Sequence, residues 1–119
     1  MSTREIAPPE WRHFFDAFSR DHLSTTAVVQ VISPDLGAQE EARKLPFVGV
    51  SFDPKGSAKG SIALTLGTDP EDHVEHRILN PVHVWLKTGD VGENDTLEIE
   101  TADGFKTIVQ LQPIPALPE

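Results

Sequence analysis

The chain has no cysteine and no tyrosine. Without cysteine there is no disulfide scaffold, no thiol nucleophile and no thiolate metal site. No apolar run is long enough to span a membrane, and the first residues lack the apolar core of a signal peptide. Basic residues are scarce: 10 Lys and Arg stand against 19 Asp and Glu, a formal net charge of −9. The deficit is local. Residues 69–103 hold ten acidic residues against only Arg77 and Lys87, a net of −8. Such a chain repels phosphate, so neither nucleic acid nor an anionic membrane is an expected partner. The Gly and Lys residues between Asp53 and Gly60 are not in the order of a phosphate loop, and no G-x-S-x-G elbow or EF-hand loop is present. No cofactor is expected. What remains is a soluble, acidic, cytoplasmic protein.

At 119 residues the chain makes one domain with a core large enough to stand without disulfides or metal. Four of its eight aromatic residues lie close together: Trp11, Phe14, Phe15 and Phe18 fall at i, i+3, i+4 and i+7. That is one face of an amphipathic helix over Pro8–His22, with Pro9 suited to the first turn and residues 1–7 as a polar lead-in. After residue 24 the period changes to two. Strands are expected at Thr25–Ile32, Gln39–Leu45, Phe47–Phe52, Ser61–Leu66, His73–Leu79, Val82–Lys87, Thr96–Thr101 and Phe105–Leu111. Pro46 is read as a break, Gly49 as a bulge or a close contact, and Asn80-Pro81 as a break or offset. Val48, Val50 and Phe52 are read as one buried face, as are Ile62, Leu64 and Leu66. The Asp103-Gly104 dipeptide between two alternating runs is a strong hairpin signal. The fold class is therefore α+β: an N-terminal helix packed on a bent antiparallel meander sheet, or a partly open small barrel, of about seven strands. Residues 1–112 form the domain and 113–119 a Pro-rich tail.

Two constellations could carry chemistry. His73, Glu75 and His83 would share a face if the strands on either side of Asn80-Pro81 paired, and two imidazoles with a carboxylate suit zinc or iron. Alternation puts His76 on the other face. The spacing matches no established metal motif. The second constellation is the acidic half with Trp85, Asp90, Glu93 and Asp95, a candidate contact surface for a partner. The leading reading is a non-enzymatic interaction module that docks a basic protein on its acidic face or forms a homodimer through a sheet edge. It leans away from an enzyme, since no catalytic set is recognisable. The alternative is a small metal-binding protein or metal-dependent enzyme using His73, Glu75, His76 and His83.

The lead Thr3-Arg4-Glu5-Ile6 with Trp11-x-x-Phe14-Phe15-x-x-Phe18-Ser19 resembles the start of a family of small bacterial proteins known only as a domain of unknown function. The resemblance extends to Asp35-Leu36-Gly37-Ala38-Gln39-x-Glu41-Ala42-Arg43-x-Leu45-Pro46 and to Asp72-His73-x-x-His76 with Pro81. It implies a bacterial origin and brings no activity, substrate or catalytic residue.

Overall fold

The aromatic stripe folds as its spacing predicts. In the computed structural model, which describes residues 2–23, 25–35, 37–54, 60–69, 71, 73–88 and 95–112, a 3-10 turn at Pro8–Glu10 leads into helix α1, Trp11–His22. Trp11, Phe15 and Phe18 are buried, and Phe14 packs partly buried beside them. The Trp11 indole N–H donates to the Ile6 carbonyl at 2.8 Å, so burying the ring leaves no orphaned donor. The rings meet the sheet edge-on: Trp11 against Phe52 at 5.2 Å and Phe18 against Phe47 at 5.8 Å between centroids.

Among the described residues, eight strands follow the order β1-β6-β7-β8-β2-β3-β4-β5 in one open sheet, every pairing antiparallel. They are β1 Ser2–Glu5, β2 Thr26–Ser33, β3 Gly37–Asp53, β4 Ser61–Leu66, β5 Val74–Leu79, β6 Pro81–Thr88, β7 Asp95–Thr101 and β8 Lys106–Gln112. Two meanders, β2 to β5 and β6 to β8, are joined where β8 pairs with β2. One twelve-residue helix stands against these strands, so the α+β reading holds in outline while most of the structure is β.

Three expectations need correction. Residues 1–7 are not only a lead-in: Ser2–Glu5 forms β1 on the free edge of β6. The strand is anchored by Ile6, which is buried and donates its N–H to Val84 O at 2.8 Å. Pro46 does not break the chain into two strands, because β3 runs unbroken for 17 residues. Pro46 sits where β3 changes partner, opposite Thr26 of β2, and the next residue, Phe47, is already opposite Leu66 of β4. A missing N–H is tolerated at such a changeover. Finally, Val48 does not share a face with Val50 and Phe52. Phe47 pairs with Leu66 and Gly49 with Thr65, which leaves Val48 as the extra residue of a bulge. Phe47 and Val50 therefore both point inward. The bulge expected near Gly49 is present.

The bulged half of β3 has left β2 behind, and α1 takes the vacant place. The Ser19 hydroxyl donates to Val50 O and accepts from Val50 N–H, each at 2.9 Å. One serine thus satisfies the backbone groups that a neighbouring strand would otherwise satisfy. Ile62, Leu64 and Leu66 point inward as expected, none more than 1% exposed.

A sharp corner brings the two halves together. β5 and β6 lie far apart in the sheet order, yet Asn80 alone joins them. Its φ of 56° is the one positive value among described non-glycine residues, and asparagine tolerates that region. Asn80 N–H donates to Gly60 O, and Ala102 N–H donates to Asn80 O. The sheet must curl for one residue to reach both β4 and the end of β7.

Candidate functional site

The strand pairing decides the histidine question. β5 pairs with β4, and β6 pairs with β1 and β7, so the β5–β6 ladder that would have joined His73, Glu75 and His83 does not form. His73 is exposed just before β5 and Glu75 is exposed opposite Thr65. His76 lies on the other face of β5, opposite Leu64. His83 places Nδ1 2.8 Å from Glu5 Oε2, which helps hold β1 on the sheet. Among the described residues no group of three or more histidines and carboxylates could hold a metal ion.

The acidic candidates separate. Asp90 and Glu93 lie outside the described residues. Asp95 sits at the start of β7 and its Oδ2 is 2.8 Å from His22 Nε2, while His22 Nδ1 is 2.9 Å from Phe18 O. The His22 ring also stacks on Phe18 at 4.1 Å. Asp95 therefore ties the end of the helix to the sheet.

Trp85 is different. On β6, Val84 is buried, while His83, Trp85 and Lys87 point to the outer face. The register sets Trp85 directly between Glu5 of β1 and Glu98 of β7. His83 stacks on Trp85 at 5.1 Å with 21° between planes, and Lys87 Nζ lies 3.3 Å from Glu98 Oε1. An aromatic face is thus flanked by two carboxylates across three strands.

A second feature was not anticipated. An open cleft of about 350 Å³ lies along β5, lined by His76, Arg77, Ile78 and Leu79. Its far side comprises Val31 of β2 with Thr101, Asp103, Phe105 and Thr107 around the β7–β8 turn. The turn is the one Asp103-Gly104 predicts, with Gly104 at φ 93°. Thr101 Oγ1 hydrogen-bonds to Asp103 and accepts from Phe105 N–H at 3.2 Å, which fixes the turn. Two of the three large apolar residues left exposed among those described, Leu79 and Phe105, line this cleft. Alternation does put Phe105 in phase with Thr107, Val109 and Leu111. It cannot show that the ring ends at a cleft, because the other walls come from residues 31 and 76–79.

Curled sheet, inserted helix and outer aromatic strip together define a small, mostly β domain. The chain belongs to a family of unknown function, DUF5335, which matches residues 2–119. An uncharacterized protein of Aquifex aeolicus (strain VF5) is 25% identical over 119 residues, covering 100% of both chains. No solved structure matches the chain. No helix among the described residues is long and apolar enough to cross a membrane.

Proposed function

We propose that the protein is a non-enzymatic interaction module that docks a basic partner on the outer face of β1, β6 and β7. The observation that carries this reading is the row Glu5–Trp85–Glu98, an indole between two carboxylates on adjacent strands. His83 already stacks on the indole, so a lysine or arginine gains about 0.5–2 kcal/mol by displacing it or taking the opposite face. The carboxylates offer charge-assisted hydrogen bonds in exchange for those to His83 and Lys87. Lys87 is 43% exposed and Glu98 13%, so an incoming cation takes Glu98 by replacing Lys87, exchanging one charge-assisted bond for another. Asp90 and Glu93, in the sequence between β6 and β7, belong to the stretch 69–103 whose net charge is −8. Pairing into a homodimer through a sheet edge has less support. The end strands have four and six residues, so an edge-to-edge ladder between two copies buries little of the area a stable dimer needs. The same reading takes the protein as cytoplasmic, on the composition described above.

The test is a titration of the full chain with a lysine- and arginine-rich peptide, followed through the two indole N–H signals by NMR. The Trp85 signal should shift, more weakly at higher salt, while the Trp11 signal, bonded to Ile6 O, stays in place. An acidic peptide should do nothing. Equal shifts with Trp85→Ala and wild type at the surrounding amides would sink the proposal.

A further inference from the structure

We infer that the cleft along β5 receives an extended peptide segment of a partner protein, which adds to the sheet as a ninth strand. The first support is the direction of backbone groups. Val50 spends both its N–H and its C=O on Ser19, so Val50–Leu64 is not a hydrogen-bonded pair of the β3–β4 ladder. Leu64 then turns its own groups toward β5, making Leu64–His76 a hydrogen-bonded pair. Alternation makes Ile62–Ile78 another, and the Asn80 N–H to Gly60 O bond continues the series. Ala63–Arg77 and Ser61–Leu79 are therefore the intervening pairs. Their β5 members aim N–H and C=O away from β4, where no strand among the described residues stands.

The second support is the cleft itself. Four consecutive residues of β5 line it. Side chains alternate along a strand, so only its edge can present four in a row to one cavity. The open backbone of Arg77 and Leu79 therefore borders the space. Across it lie Phe105, which is 39% exposed, and Thr107, which is 3% exposed. Main-chain bonds to an edge give affinity, and pockets for alternate side chains give specificity.

The occupant's chemistry follows from the walls. Its inward side chains meet Val31, Ile78 and Phe105 and should be apolar. Its outward side chains lie beside Glu75 and Arg77, both exposed on the outer face of β5, and should carry the opposite charges, a base beside Glu75 and an acid beside Arg77. The segment is thus a strand of alternating apolar and charged residues, with an acid and a base two positions apart. This surface is distinct from the Trp85 row, and either can fail without the other.

The probe is the capped peptide Thr-Val-Glu-Val-Lys, which in antiparallel register sets Glu beside Arg77 and Lys beside Glu75, titrated into the full chain with backbone amides followed by NMR. The amides of Arg77 and Leu79 should shift and gain protection from hydrogen exchange, with the Trp85 indole unmoved. N-methylation of the central valines should weaken binding at least tenfold, as should Arg77→Pro, since that N–H is not part of the β4 ladder. Should Arg77→Pro fail to fold, Phe105→Ala provides the second variant and should also weaken binding. Three results would overturn the inference: no shift at Arg77 and Leu79 at millimolar peptide, equal binding by the N-methylated or the charge-swapped Thr-Val-Lys-Val-Glu peptide, or dimerisation of the chain itself through β5.

Discussion

Ser19→Ala tests how the helix is joined to the sheet. The hydroxyl makes two bonds to one residue, Val50 O and Val50 N–H, each at 2.9 Å. Removing it deletes both and leaves two strand backbone groups without their partner. A typical hydrogen bond contributes about 0.5–1.5 kcal/mol net, and leaving a buried group unpaired costs about 1–3 kcal/mol. Ser19 is only partly buried, so water reaches some of the vacated space. The expected loss is about 1.5–3 kcal/mol, near the sum of two ordinary bonds. Urea unfolding followed by the fluorescence of buried Trp11 measures it, and a thermal melt should fall by roughly 3–6 °C per kcal/mol at this size. Hydrogen exchange at the Val50 amide gives the local readout and should speed up more than at Leu64. Arg12→Ala, exposed on the same helix, should stay within about 0.5 kcal/mol of wild type. A Ser19→Ala loss below 0.5 kcal/mol, with Val50 protection unchanged, would refute the idea that the helix substitutes for a strand.

Two further perturbations follow from burial and backbone geometry. Phe15 is fully buried, so Phe15→Ala should cost about 3–5 kcal/mol, and Phe14→Ala, at a partly buried ring, distinctly less; denaturant midpoints will rank them. Asn80 holds φ 56°, so Asn80→Gly should be within a few tenths of a kcal/mol of wild type and Asn80→Val should lose about 1–3 kcal/mol, read from thermal melts.

Local patterns were legible wherever one element decided its own shape. The i, i+3, i+4, i+7 aromatics, the alternation of Ile62, Leu64 and Leu66, and the Asp103-Gly104 turn each carry their structure within a dozen residues. Readings failed where a distant partner decided. Ser2–Glu5 has too little apolar pattern to announce a strand, and it is one only because β6 offers an edge. Pro46 looks like a breaker until the change of partner from β2 to β4 is known. His73, Glu75 and His83 looked convergent because β5 and β6 are neighbours in the chain, where a ladder is the usual outcome. The left-handed Asn80 sends the chain to the other end of the sheet instead. Of the partner-contact candidates, Trp85 was placed on the correct face by alternation alone. Its neighbours Glu5 and Glu98 needed the register, one of them from a strand 80 residues earlier in the sequence (roughly, by the 3.3 Å rise far beyond any local reach).

The least conspicuous strand decides both proposed surfaces. β6 has two edges, one taken by β7 and the other by β1. With both filled, β6 cannot receive β5, although a single residue separates them. The sheet therefore curls without closing, and β5 ends it with Arg77 and Leu79 facing outward. The same β1 brings Glu5 beside Trp85 and, through His83, holds it there. A polar tetrapeptide with no pattern of its own thus places the second carboxylate of the aromatic strip. By filling the β6 edge it also keeps open the edge on which an added strand would depend.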